Sequence, residues 1–185
     1  VSPDSVQLAG DLGLGMLSLT IMQPVDELAR RIGIYREAIA NCTNPVTRVV
    51  NGKVAPYTLV HCAPDIDAAQ EEYQVWDSVG WWYDHMAQFL IDWELPPNLP
   101  EEEIERLFPR LRATQQGKAD PHFFNDQDMV IIGDPERCIE KLERYAAIGC
   151  DSVIAYVQFG QLQHDQIMES IELLGTQVIP KIAGL

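Results

Sequence analysis

Residues 131–182 constrain the fold more than any other stretch, because the limits of each element are set by residue chemistry. Asp134 is a helix N-cap, Pro135 suits the first helical position, and Gly149 suits the residue that closes a helix. Ser152 to Phe159 reads as a short, largely apolar strand, and a second amphipathic helix then runs until Pro180, which is expected to stop it. Helix, strand and helix in this order form the closing unit of an α/β barrel.

The upstream chain repeats this alternation. Ser2-Pro3-Asp4-Ser5 opens a short helix that ends near Gly13, and Leu14 to Ile21 reads as a buried strand. Pro24 to Ala40 is a helix whose apolar positions Leu28, Ile32, Tyr35 and Ile39 recur three and four residues apart. Lys53 to Cys62 is a strand, with Pro56 marking an irregular start. Asp65 to Trp93 is expected to be the longest helix, buried along Ile66, Ala69, Tyr73, Trp76, Gly80, Tyr83, Ala87 and Leu90. Residues 96–128 break the rhythm with several prolines and an acidic run at Glu101-Glu102-Glu103, and read as an insertion with one short helix near Glu101–Leu111.

Strands separated by helices give a parallel sheet. Three strands, with a stub ending at Ser2, are few for such a sheet, and a (β/α)8 barrel of the TIM type takes ~250 residues. The 185 residues therefore read as one partial domain, the C-terminal half of a TIM barrel, and the start at Val1 without methionine points to a missing upstream part. A half-barrel also leaves edge strands and an apolar inner face that pair with something: a second copy or the N-terminal half.

The balance of charge narrows the partners. A formal net charge of −15, with 46% hydrophobic and 22% charged residues, describes a folded chain that phosphate backbones and anionic membranes repel. No apolar run approaches the ~20 residues of a membrane span, and no secretory signal is visible. Cys42, Cys62, Cys138 and Cys150 have neither C-x-x-C nor metal spacing and read as reduced thiols of a cytoplasmic protein. His85, His122 and His164 lack ligand-spaced neighbours, so no metal is expected, and no glycine-rich phosphate loop or nucleophile elbow is present.

The segments S-P-D-S-V-Q-L-A-G-D-L-G-L-G-M-L, W-W-Y-D, I-G-D-P-E-R-C-I and S-I-E-L-L-G-T-Q-V-I-P occur in the order of the luciferase-like flavin monooxygenases, and the chain resembles the C-terminal half of that family. The resemblance covers the whole chain, from the end of the fifth barrel strand to the eighth helix. It implies a barrel that binds reduced FMN at the C-terminal ends of its strands and uses O2 to oxidise a small organic substrate. Some relatives use F420 instead. It also implies that the catalytic histidine and much of the flavin pocket belong to the N-terminal half, without which this chain is inactive.

Several residues are candidates for the site. With Ser2 as N-cap and Pro3 next, the free N–H groups of the first turn and the hydroxyls of Ser2 and Ser5 make either an ordinary cap or an anion site. By resemblance, Ser2 and Ser5 match positions that hold the FMN phosphate. His61 ends a strand, where barrel enzymes place functional groups, and is either a hydrogen-bonded terminus or a group that orients flavin or substrate or passes a proton. Gln158 and Gly160 end the last strand; one offers a polar group to a pocket and the other a close backbone approach, while an exit to solvent explains them equally. Trp76 and Tyr83 read as core, and Trp81 and Trp82 cannot share one partner.

Overall fold

The computed structural model describes residues 3–20, 23–65, 74–91, 100–107 and 120–184. Four strands, β1 (Met16–Leu19), β2 (Val54–Cys62), β3 (Ile131–Gly133) and β4 (Ile154–Tyr156), are all parallel, and β1, β3 and β4 each pair with β2. Tyr57 is in register with Leu19 of β1 and with Ile154 of β4, so those two strands flank opposite edges of β2. Strand β3 takes the next stretch of β2, Val60 to Cys62. The helices α1 (Pro3–Asp11), α2 (Val25–Ala40), α3 (Val75–Ile91), α4 (Glu101–Leu107), α5 (Pro121–Asp126), α6 (Pro135–Ala147), α7 (His164–Leu173) and α8 (Ile179–Ile182) connect and cover them.

Alternation along β2 sorts its side chains into two cores. Val54, Val60 and Cys62 join Met16 and Ile131 against α1, α2, α6 and the C-terminal helices, through Val6, Leu28, Ile32, Tyr35, Tyr145 and Val178. Leu59 and Ile132 face the other way, into a cluster with Val75, Val79 and Tyr83 of α3 and Phe124 of α5. That second face is the inner one of a barrel. Its half nearer the strand ends is sealed by α3 and α5, and the half nearer the strand starts is open, with Leu17 69 %, Leu19 39 % and Ile154 43 % exposed. Among the described residues, the apolar inner face expected from the sequence is thus bare at the level of Tyr57 and below it.

Helix α6 is bounded by the residues expected to bound it. The Asp134 carboxylate accepts the Arg137 N–H at 2.8 Å, and Gly149, at φ +97°, closes the other end. Its N–H reaches the Ala146 carbonyl at 2.9 Å while the Cys150 N–H reaches that of Tyr145 at 3.1 Å, the paired pattern of a Schellman stop. Trp76 and Tyr83 are buried as the stripe required, but the helix begins at Val75, after Gln74 at φ +48°, and does not include Asp65; residues 66–73, 92 and 93 of the expected Asp65–Trp93 helix lie outside the described residues.

Three expectations need correction. Ile131–Gly133, read as the lead-in to a helix, is a strand, so the sheet has four strands rather than three. The last strand covers only Ile154–Tyr156 of the expected Ser152–Phe159. Pro180 does not stop the final helix: a π-turn over Leu174–Val178 shifts the bonding by one residue, with the Ile179 N–H on the Leu174 carbonyl, and Pro180 falls in the first turn of α8 where its missing N–H costs nothing.

Candidate functional site

Parallel strands send their C-terminal ends to one side of the sheet, and in barrels chemistry gathers there. Thr20, just past β1, is buried and donates its hydroxyl to the Tyr57 carbonyl at 3.0 Å. His61, next to last in β2, is 1 % exposed, and burial lowers its pKa to about 4. Its ring is therefore neutral at physiological pH and serves as a fixed hydrogen-bonding group better than as a proton carrier near pH 7. Next to it the Cys62 N–H donates to Ser170 Oγ of α7 at 2.9 Å, tying the strand end to the C-terminal helices. Tyr57 and Tyr156 stack with ring centroids 5.6 Å apart on the inner face, below His61.

Gln158 is exposed beyond the end of β4. Gly160 follows at φ +59°, and a Cβ there would lie 2.4 Å from the Ser78 Cβ of α3. The close approach that this glycine permits is with α3, and the Gln161 N–H completes the contact by donating to Ser78 Oγ at 3.1 Å. Ser5 is exposed in the first turn of α1. Ser2 lies outside the described residues.

The first turns of α2 hold a group of charges that residue-by-residue reading did not single out. Glu27 is buried and accepts four hydrogen bonds: from Arg30 Nε at 2.9 Å and Nη2 at 2.8 Å, from Arg31 Nε at 3.0 Å, and from Arg106 Nη1 of α4. Arg106 also donates to Glu103 through Nε and Nη2, at 3.2 and 2.7 Å. Burial pushes the Glu27 carboxyl up, and the three guanidinium groups pull it down further, to about 2. Spacing of three and four residues makes Glu27–Arg30 and Glu27–Arg31 legible in the sequence; Arg106, brought in by the insertion, was not.

A second network fastens the end of the insertion. Asp128, at φ +52°, accepts Lys141 Nζ at 2.6 Å and Arg144 Nη1 at 2.7 Å, while its carbonyl accepts the Tyr145 hydroxyl at 2.6 Å. The Asn125 side chain donates to the Ile132 carbonyl and accepts the Ile132 N–H, both at 3.0 Å, and so stands in for a neighbouring strand along β3. These contacts hold α5 and β3 on α6 and so keep α3 and α5 over the inner face. Among the described residues no group of His, Cys, Asp and Glu could hold a metal ion, and no helix is long and apolar enough to cross a membrane.

The model of the luciferase-like monooxygenase family matches residues 1–152. The chain belongs to the luciferase-like monooxygenase family. No curated protein matches it. Among solved structures, this luciferase-like chain is similar to the oxygenating constituent of 3,6-diketocamphane monooxygenase, a type II Baeyer–Villiger monooxygenase from the CAM plasmid of Pseudomonas putida in complex with FMN, at 20 % identity and TM-score 0.64, over 96 % of this chain and 45 % of that one. It is similar to a monooxygenase from Streptomyces bottropensis at 14 % identity and TM-score 0.61, over 97 % and 45 %. A third likeness, at 20 % identity and TM-score 0.58 over 97 % and 48 %, is to the coenzyme F420-dependent tetrahydromethanopterin reductase of Methanopyrus kandleri. The luciferase-like chain thus spans less than half the length of these structures, and the likeness is one of fold: a parallel sheet with helical crossovers that corresponds to half a TIM barrel.

Proposed function

We propose that this chain is the C-terminal part of a reduced-FMN-dependent, O2-using monooxygenase of the cytoplasm that acts on a small organic substrate once the barrel is complete. The observation that carries this reading is the family match over residues 1–152, which takes in α1, β1 and β2 with Ser5 and His61. The start of α1 is where the phosphate of FMN would sit by the family resemblance: this helix of nine residues presents its N-terminal end there, with Ser5 in its first turn. Ser5, with Ser2 before it, holds that phosphate. His61 and Gln158 orient the flavin or substrate at the strand ends, with Gly160 setting the path of the Gln158 segment by its contact with Ser78. The bound flavin supplies the two-electron chemistry that activates oxygen; the residues of this chain bind, orient and exclude water. The catalytic group belongs to the N-terminal half.

An anaerobic calorimetric titration with reduced FMN tests this, on the chain alone and joined to an N-terminal half. Micromolar 1:1 binding to the complete barrel supports the reading, whereas a complete barrel that binds F420 and ignores FMN moves the protein to the F420-dependent branch. A second reading is favoured by the bare lower half of the inner face, where Leu17, Leu19 and Ile154 are exposed: the chain is a module that pairs with a second copy of itself. Sedimentation at dilute concentration separates the two, since a stable monomer removes the second.

A further inference from the structure

An apolar cavity of about 220 Å³ lies on the outer face of the sheet. Its floor is Val60 of β2 and Ala155 of β4, and one wall is Leu142 and Ala146 of α6. Val60 faces away from Leu59 and His61, because neighbours on a strand point to opposite faces, so the cavity is separate from the strand-end site. The opposite wall is Leu174, Val178, Ile179 and Ile182 of the C-terminal segment. Small side chains make the room: Ala146 and Ala155 stand where larger residues would close the layer.

The π-turn shapes this cavity. On an α-helix, residues five apart are turned about 140° from each other, so Leu174 and Ile179 would face different ways. The Ile179 N–H on the Leu174 carbonyl adds a residue to that turn and brings the two onto one wall, with Ile182 one turn further on. Packing does not use this surface up: Ile179 is 55 % exposed, and Ala155 on the floor is exposed as well. Asp151 borders the cavity, but its carboxylate accepts Lys53 Nζ at 2.8 Å, Arg36 Nη2 at 2.9 Å and the Val54 N–H at 2.9 Å. Cys150, half-buried beside it, is a neutral thiol, since burial pushes it up to about 12. Ser152, exposed at the rim, supplies a hydroxyl.

We propose that this cavity is a binding site for a small, neutral, apolar organic molecule about the size of one substituted aromatic ring. An apolar cavity of ~150 Å³ holds benzene, so this one has room for a ring that carries a substituent. The aliphatic walls stabilise such a molecule by burial. Among the described residues they offer no free charge, so a carboxylate or ammonium entering them would lose its hydration without a partner. One hydroxyl or carbonyl on the ligand is matched by Ser152 at the rim. A bound molecule braces β4 from outside, behind Tyr156, which stacks on Tyr57 on the inner face. The site is independent of the flavin reading, since none of its residues is assigned to the cofactor.

The test uses the 185-residue chain, with toluene, p-cresol and benzoate as probes, read by melting temperature and calorimetry. Toluene and p-cresol are expected to raise the melting temperature with concentration, and benzoate to leave it unchanged. Ala146→Leu, which fills the cavity, is expected to weaken toluene by about 10-fold or more. Ala155→Leu fills it from the strand side and serves where Ala146→Leu fails to fold. Alkylation by iodoacetamide locates the ligand: toluene should slow the reaction of Cys150 and leave that of Cys42, whose thiol sits on the Asp11 carbonyl, unchanged. A wild type that toluene and p-cresol do not stabilise overturns the inference. Equal toluene affinity in wild type and both filled variants also overturns it, as does equal slowing of Cys42 and Cys150. Benzoate that binds as tightly as toluene contradicts the neutral class. A second copy of the chain in the cavity is refuting as well: sedimentation then shows a dimer that the filled variants dissociate, and toluene does not bind.

Discussion

The Glu27 cluster makes stability depend on acid in a way that can be isolated. Its carboxyl pKa falls from the ordinary 4.5 to about 2 in the folded chain. A depressed folded pKa contributes stability that is fully present above the unfolded value and is lost as pH falls through the folded one. At ~1.4 kcal/mol per tenfold change in proton affinity, the contribution is ~3 kcal/mol above pH 5, and roughly 2 kcal/mol of it is gone by pH 3. The perturbation is Glu27→Gln, which keeps the shape and cannot titrate. Urea unfolding of both proteins at pH 7, 5, 4 and 3 gives the stability gap between them, and the difference cancels carboxylates common to both, such as Asp151. The gap should shrink by about 2 kcal/mol from pH 5 to pH 3. A gap that stays constant within ~0.5 kcal/mol over that range means that the three arginines do not hold the carboxylate as described.

Other perturbations have signs fixed by geometry. Gly160→Ala puts a Cβ 2.4 Å from that of Ser78 at a positive φ, and should lower stability by about 2–4 kcal/mol in thermal or urea unfolding; an unchanged melting temperature shows that the segment moves freely off α3. Lys141→Met removes the buried partner of Asp128 and should cost about 2–4 kcal/mol, much of which returns in the double variant with Asp128→Asn. Additive losses in that double-mutant cycle refute the coupling. Leu17→Lys, on the bare part of the inner face, should leave the melting temperature within roughly 1 kcal/mol of wild type and lower the sedimentation coefficient at high concentration if copies pair there.

What the sequence disclosed, and what it hid, follows from the range of each interaction. Asp134, Pro135 and Gly149 act within a turn of their own positions, so the limits of α6 were readable to the residue. Asp120-Pro121 carries the same signature ahead of α5, with the Asp120 carboxylate on the His122 N–H, and went unread because only six residues follow before the helix ends. Strand β3 has three residues, too few for any period, and becomes a strand because β2 and the Asn125 side chain take up its backbone groups. At Pro180 the local rule gave way: the π-turn supplies the shift that a proline needs to sit inside a continuing helix. For the site, the position of His61 at a strand end was legible, but the burial that makes it neutral was not, because the groups that cover it come from distant segments. Arg31 stood in plain view as a partner four residues from Glu27.

Every strand bonds to β2 and, among the described residues, not to another, which has a consequence for how the chain assembles. Strand β1 can find β2 across a few dozen residues, whereas β3 and β4 must each close a much longer loop before any ladder bond forms, so search entropy falls on one segment. Collapse therefore waits on Val54–Cys62. Once that segment is placed, three independent pairings rest on the same nine residues, and none survives its departure. The last amides to exchange with solvent should be those of Thr58 to Val60, and the sheet should be lost in a single cooperative step rather than strand by strand.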